Sequence, residues 1–308
     1  MISNVITIVG SYNVGLFLKG QRLPGVGETI TADRFVEGPG GKGSNQAVAA
    51  AMFGAKVKFV GRVGVDSYGK DALELYRRVG ISAELITIDK SIHSGISVIL
   101  IDADGRNMIS VALGANLRLS KENIDRAAGE IERSLLVGFQ LENNLETVLY
   151  GIRRSHELGA ITFLDPAPAV KIPDEIYPCI DIIKPNETEA SILSGIKVTG
   201  LPEAEAAGAW FLKQGAGMAI ITMGELGAVL VSKDVVKHFQ APKVQAVDST
   251  GAGDIFSGAL MSALADGRTI EQAIPYANAA AALSTTRLGV IESIPSRDEV
   301  GKLLEIAR

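Results

Sequence analysis

Short apolar runs rich in Val and Ile recur along the chain, and each ends in glycine or a polar residue. Runs of this kind are typical of strands buried on both faces of a sheet. Patterns of helical period lie between most of them. The runs begin at Val5, Lys56, Ser134, Ile161, Asp181 and Met218, and the helical patterns cover 43–53, 68–79, 121–133, 146–157, 187–193 and 203–214. The alternation predicts an α/β protein with a mainly parallel central sheet flanked by helices.

Two segments depart from this pattern, 15–38 and 94–112. Both alternate apolar and polar residues between Gly and Pro turns, and neither is followed by a helix that covers it. We predict that they form one small β-sheet lid, inserted in a single domain over 1–308. Phe17, Ile96 and Val98 are expected on its exposed outer face, which predicts a homodimer through the lid.

Composition and charge indicate which partners and which cellular compartment to expect for this protein. The 308 residues carry a net charge of −5, with no basic cluster of the kind that binds nucleic acid. One cysteine, Cys179, and three scattered histidines argue against a disulfide or a zinc site. No apolar run approaches the ~20 residues that span a bilayer, and no signal peptide is recognisable at the N-terminus. We therefore expect a cytoplasmic protein without a nucleic-acid or membrane partner.

A glycine-rich loop precedes the first helical pattern. Gly38, Gly40 and Gly43 match the G-x-G-x-x-G spacing of dinucleotide-binding proteins. That motif normally follows the first buried strand, whereas this loop comes about thirty residues later. A nicotinamide-dependent oxidoreductase therefore stays open as an alternative, beside a loop whose amides, with Lys42 and Asn45, bind another ligand.

Two further stretches place acids at the start of a helix. In "KPNETEA", Asn186 and Glu189 are three residues apart, so both face one side of the first turn. In "DSTGAGDIFSGAL", the amides of Gly251, Ala252 and Gly253 predict an anion site at a helix N-terminus. Asp254 follows directly and is placed to take a proton from a hydroxyl. An anion site beside a carboxylate is suited to phosphoryl transfer.

These stretches resemble the ribokinase branch of the PfkB carbohydrate kinase family. The resemblance rests on "GGKGSNQAVAAAMFGAKVKFVGRVGVDSYG" and "DSTGAGDIFSGAL", with "PAPA", "KPNETEA" and "ITMGELGA" in the family order, and it runs from about Val5 to Pro295. It implies a nine-stranded α/β domain with a β-sheet lid. It also implies ATP as the phosphoryl donor, Mg²⁺, and a structural K⁺ in many members.

The resemblance also assigns roles to individual positions. Asp254 corresponds to the catalytic base, and Gly251, Ala252 and Gly253 to the anion hole for the transferred phosphoryl group. The positions that correspond to acceptor-binding residues are Asn13, Gly41, Lys42, Asn45, Glu142 and Asp254. Those that correspond to nucleotide-binding residues are Asn186, Glu189, Thr222, Gly224, Gly227 and Asn278. The K⁺ shell corresponds to Asp248, Thr250, Ser284, Arg287, Gly289 and Ser293.

One position departs from the family pattern. Family members carry an Asp that binds two sugar hydroxyls two residues after the Asn that corresponds to Asn13, and this chain has Gly15 there. The resemblance therefore implies a kinase for a small sugar or polyol, with ribose as the default acceptor but a poor substrate of this enzyme. A nucleoside kinase of the same fold stays open, as does a sugar-sensing protein without catalysis.

Overall fold

The computed structural model describes residues 4–306, which form one large and one small β-sheet with helices around the large sheet. The strands are β1 Val5–Val9, β2 Asn13–Lys19, β3 Arg34–Gly40, β4 Lys56–Gly64, β5 Ile86–Asp89, β6 Gly95–Ile101, β7 Asn107–Ala112, β8 Leu136–Phe139, β9 Ile161–Leu164, β10 Ile182–Ile183, β11 Met218–Thr222, β12 Ala228–Ser232 and β13 Val236–Phe239. The helices are α1 Lys42–Met52, α2 Ser67–Arg78, α3 Lys121–Glu132, α4 Leu145–Glu157, α5 Glu187–Ser194, α6 Leu201–Gln214, α7 Ala252–Ala265, α8 Ile270–Ser284 and α9 Arg297–Ile306.

The large sheet has nine strands in the order β13-β12-β11-β10-β9-β8-β1-β4-β5. Neighbours from β5 to β11 pair in parallel, whereas β12 and β13 add an antiparallel hairpin at one edge. All six apolar runs of the sequence contribute a strand to this sheet. The predicted fold class, a mainly parallel sheet flanked by helices with a second, smaller sheet, is confirmed.

Apolar residues on both faces of the large sheet explain why its strands read as continuous hydrophobic runs. In β1, Ile6 and Ile8 pack in the core under α1, α7 and α8, while Val9 belongs to the core under α3, α4 and α6. Successive side chains of a strand point to opposite faces, so a strand covered on both sides needs apolar residues at consecutive positions. Among the described residues, no helix has the length and apolar character needed to cross a bilayer.

The small sheet has the order β3-β2-β6-β7, in which β2 and β6 are parallel and the outer pairs are antiparallel. Its strands come from the two segments predicted to form the lid. The register aligns Phe17 with Ile99 and Val36, and Val14 and Leu16 with Ile96 and Val98. Phe17 therefore lies on the opposite face of the sheet from Ile96 and Val98.

The predicted outer face of this sheet is wrong in its residues. Phe17, Ile96 and Val98 are half-buried rather than exposed. They lie on β2 and β6, the two central strands, and each of these has a neighbouring strand on either side in the sheet. The exposed apolar side chains lie on the two edge strands and are Phe35, Val36, Met108, Ile109 and Val111. The homodimer through the lid stays a prediction.

Candidate active site

The polar residues of the site lie where the parallel strands end. Glu142 follows β8, Asp165 follows β9, Lys184 follows β10, and Thr222 ends β11. The carboxyl ends of neighbouring parallel strands meet at one edge of the sheet, and ligands of open α/β sheets bind there. The N-termini of α1, α5 and α7 reach the same edge through their first residues, so three helix dipoles add positive potential there.

Asp254, in the first turn of α7, is held by α1 from the opposite side. Asn45 Nδ2 donates to its Oδ2 at 2.8 Å, and Gln46 Nε2 donates to its Oδ1 at 3.1 Å. Asp254 is 6% exposed, and the two bonds fix both carboxylate oxygens while leaving lone pairs for a hydroxyl. The Oδ1 of Asn45 is also buried, and it has no hydrogen-bond partner among the described residues.

The three amides predicted to form an anion site at the start of α7 differ in their hydrogen bonding. Gly251 caps the helix with φ of 76°, and a side chain there would clash with Val290, so glycine is required. The amide of Ala252 already donates to the Ser249 carbonyl at 3.2 Å. Within residues 4–306, the amides of Gly251 and Gly253 donate to no protein acceptor. These two amides are therefore the ones available to an anion.

A buried ion pair that the sequence pattern did not predict lies next to Asp254. Lys184 Nζ donates to Asp165 Oδ2 at 2.9 Å and to the Gly253 carbonyl at 3.3 Å. Gln46 Nε2 also donates to Asp165 Oδ2 at 2.9 Å, and this is the amide that reaches Asp254. The strand register explains the pair, because Leu164 pairs with Ile183 and the next residues are Asp165 and Lys184. Two residues of opposite charge that follow neighbouring strands at the same register position lie close enough to form an ion pair.

Several residues predicted to bind the phosphoryl acceptor lie around Glu142. Its Oε2 accepts hydrogen bonds from Ser11 Oγ at 2.6 Å and from the Lys42 amide at 2.9 Å, and Asn13 Nδ2 lies at 3.5 Å. Burial raises the pKa of the Glu142 carboxyl, although the hydrogen bonds from Ser11 and Lys42 oppose the shift. Asn116, which the sequence analysis missed, fixes Asn13 by donating to its Oδ1 at 2.9 Å.

The loop before α1 brings its backbone close to these groups. Gly41 has φ of 90°, and a Cβ there would lie 2.7 Å from the Asn13 amide nitrogen, so only glycine fits. Burial lowers the pKa of the Lys42 ammonium, but the surrounding carboxylates, first Asp254 and Asp165, raise it to a net value above normal. Lys42 therefore keeps its positive charge beside the residues predicted to bind the phosphoryl acceptor.

The predicted nucleotide residues lie at α5 and the β11–β12 turn. Asn186 Oδ1 accepts from the Glu189 amide at 2.8 Å, and Glu189 Oε2 accepts from the Asn186 amide at 2.9 Å, so each caps the other. Burial, followed by the charge of Asp165, raises the pKa of Glu189. A backbone bridge joins Asn186 to Thr222.

The remaining nucleotide positions lie along the hairpin at the sheet edge. Gly224 begins the short 3-10 turn after β11, and Gly227 ends it. Asn278, on α8, is buried and donates from Nδ2 to the Phe239 carbonyl at 2.9 Å. The same carbonyl leaves no room for a side chain on Gly227, so Asn278 and Gly227 lie close together.

The predicted K⁺ residues form a separate group beside the start of α7. The Asp248 carboxylate accepts from the amides of Thr250 at 2.9 Å and Gly289 at 3.2 Å. Ser293 Oγ donates to the Val290 carbonyl at 2.8 Å, and Ser284 Oγ donates to the Ala281 carbonyl at 2.8 Å. The Arg287 guanidinium pairs with Glu299 on α9. The neighbourhood is rich in oxygen donors, which suits a hard monovalent cation.

Comparisons with known proteins agree with this geometry. Residues 4–297 match the family described as pfkB family carbohydrate kinase. The ribokinase of Haemophilus influenzae and the deoxyribokinase of Salmonella typhimurium are each 36% identical over 302 residues, or 98% of this chain and 99% of each relative. The structure of Arabidopsis thaliana ribokinase complexed with ribose and ATP has a TM-score of 0.90 at 31% identity, covering 99% of both chains.

Proposed function

Because the chain belongs to the pfkB family of carbohydrate kinases, we propose that it transfers the γ-phosphoryl group of ATP to a hydroxyl of a small sugar at the site around Asp254. The family confirms the predicted class of enzyme, an ATP-dependent carbohydrate kinase. The oxidoreductase alternative is wrong, and the structure gives the physical reason. Gly38 and Gly40 lie within strand β3 of the small sheet rather than in a turn after the first strand of the large sheet, which is where a dinucleotide's pyrophosphate binds.

The observation that carries the proposed mechanism is the fixed carboxylate of Asp254 next to the free amides of α7. The acceptor hydroxyl gives its proton to Asp254, and its oxygen forms the new bond to the γ-phosphorus. The bond from that phosphorus to the bridging oxygen breaks, and its electron pair leaves with ADP. The amides of Gly251 and Gly253 stabilise the charge on the phosphoryl oxygens during this transfer.

The acceptor is proposed to lie between Asn13, Gly41, Lys42, Asn45 and Glu142. Asn45 Oδ1 and the Glu142 carboxylate accept hydrogen bonds from its hydroxyls, and the Lys42 ammonium donates to its oxygens. The two relatives have equal identity to this chain, so identity alone does not choose between ribose and deoxyribose.

Nucleotide and metal ions are proposed to bind on the other side of Asp254. Asn186 and Glu189 face the phosphates, while Thr222, Gly224, Gly227 and Asn278 line the nucleoside end. No cluster of three His, Cys, Asp or Glu side chains that would hold a metal exists among the described residues. We propose that Mg²⁺ would be held largely by the phosphates and by water near Asn186 and Glu189, where it would supply charge neutralisation. A homodimer through the small sheet is part of the proposal.

We expect ATP with Mg²⁺ to raise the melting temperature, and NAD or NADP to leave it nearly unchanged. A ligand that binds only the folded state stabilises it by mass action, so the shift reports which nucleotide the edge of the sheet accepts. Thermal-shift measurements at matched ligand concentrations check this. A larger shift with NAD or NADP would contradict the proposed nucleotide site.

Activity is expected to rise when K⁺ replaces a large organic cation of equal concentration. An ion coordinated by the carbonyls of Asp248, Thr250 and Gly289 would order the loop that leads into Gly251 and Ala252. Rates in K⁺, Na⁺ and tetramethylammonium buffers of equal ionic strength check the prediction. Equal rates in all three would remove the cation from the proposal and leave the kinase assignment unaffected.

A further inference from the structure

We infer that Phe17, packed on Gly15, gives the acceptor pocket an apolar wall, so that the preferred acceptor is a deoxy sugar presenting carbon–hydrogen bonds there. The inference rests on the proposed function, because it assigns the acceptor of that same site. It makes Phe17 a specificity-determining residue for the reaction.

Strand geometry places Phe17 on the side of the acceptor. Asn13, Gly15 and Phe17 are alternate residues of β2, so all three share one face of the small sheet. The Asn13 side chain on this face lies beside Glu142 in the acceptor pocket. Gly15 is the next position on the same face, about 7 Å further along the strand.

The ring of Phe17 leans back over Gly15 toward the pocket. A Cβ built on Gly15 would lie 2.6 Å from Phe17 Cε2 and 3.0 Å from Cζ, so the ring occupies the space of a side chain at that position. Gly15 is buried, and its backbone has no positive φ that would require glycine. The contact with the Phe17 ring is therefore the reason that glycine fits best here.

The neighbours of this contact are almost all apolar. In the register of the small sheet, Gly15 aligns with Gly38 and Ser97, and Phe17 aligns with Val36 and Ile99. The Ser97 hydroxyl is the single polar side-chain group of these two rows, and neither row contains a charge. A sugar hydroxyl directed at the Phe17 ring would lose its hydrogen bonds to water without replacement.

The opposite wall of the pocket is polar and charged. Glu142, Lys42, Asn45 and Asp254 supply charges and amide groups to the acceptor. β2 runs from Asn13, which lies beside Glu142, toward Lys19, so we place the apolar wall at the end of the acceptor opposite to the reacting hydroxyl. The site therefore favours a sugar that is polar near the phosphorylated carbon and lacks a hydroxyl at its distant edge.

The wild-type enzyme is expected to prefer 2-deoxy-D-ribose to D-ribose by about 10- to 100-fold in kcat/KM, the cost of one unsatisfied hydroxyl. Release of ADP in a coupled assay with each sugar measures the ratio. Equal values, or a preference for D-ribose, would overturn the inference, as would phosphorylation of other sugars with neither pentose accepted. Absence of ADP release with every sugar would instead count against the proposed function.

Three variants test Phe17 itself. Gly15→Asp alone is expected to lower kcat/KM for both pentoses, because the new side chain meets the ring. Combining it with Phe17→Ala frees that space, and the double variant is expected to use D-ribose better than either single variant does. Phe35→Ala is the matched control, since Phe35 aligns with Leu18 on the other face of the sheet, and the ratio should stay at the wild-type value.

A merely structural role of Phe17 predicts a different pattern. In that case Phe17→Ala would lower the melting temperature and leave the ratio of the two pentoses as in the wild type. The KM for ATP reports on folding of the rest of the site and should change little in all variants. A double variant whose D-ribose activity does not exceed that of Gly15→Asp would also overturn the inference.

Discussion

Asp254→Asn is expected to lower kcat by about 10²–10⁴-fold, the usual contribution of a positioned base. Asparagine has the same shape as aspartate but accepts no proton at neutral pH. The fold should persist, because the Asn45 amide is able to turn and present its unpartnered Oδ1 to the new amide group. ATP binding should persist as well, since the variant removes a negative charge next to the phosphates.

Steady-state kinetics and a thermal-shift measurement with ATP separate these effects. Asp266→Asn is the matched control, because Asp266 lies at the other end of α7 and pairs with Arg297. That control should retain wild-type kcat. If Asp254→Asn kept more than about a third of kcat, a loss far smaller than that of a general base, another group would have to take the proton.

The sequence predicted the central sheet because periodicity is a local signal. All six apolar runs became strands of the large sheet, and the six helical patterns begin and end within two residues of α1 to α6. β5 and the β12–β13 hairpin were not predicted. α8 was also missed, because its consecutive buried residues from Tyr276 to Ala280 give no apolar stripe with polar gaps.

The residues of the site divide in the same way. The positions of Asp254 and of the Asn186–Glu189 pair were predictable because each lies within the first turn of one helix. Gln46, Asp165 and Asn116 act through partners far along the chain, so their roles depend on which strands become neighbours. The exposed face of the small sheet was predicted wrongly for the same reason. The parallel register that aligns Gly15 with Ser97 is set by the fold and not by the alternation of residues within β2.

The buried pair of Lys184 and Asp165 is the feature whose loss should cost most stability. Both side chains are at most 4% exposed. Lys184→Met leaves the Asp165 carboxylate buried with Gln46 and Ser257 as its remaining donors within residues 4–306. Removing one partner of a buried pair typically lowers the free energy of unfolding by about 3–5 kcal/mol, and we expect a loss of that size in urea unfolding.

Neutralising Asp165 as well separates two costs in stability: that of the unpaired carboxylate and that of losing the lysine side chain. The double variant Asp165→Asn/Lys184→Met should recover part of the lost stability, because it removes the unpaired carboxylate while returning an oxygen acceptor to Gln46. Since Gln46 also donates to Asp254, kcat should recover together with stability. Lys213→Met, on the exposed side of α6, is the surface control and should change neither quantity. A double variant no more stable than Lys184→Met would mean that lysine packing, rather than the unpaired charge, dominates the loss.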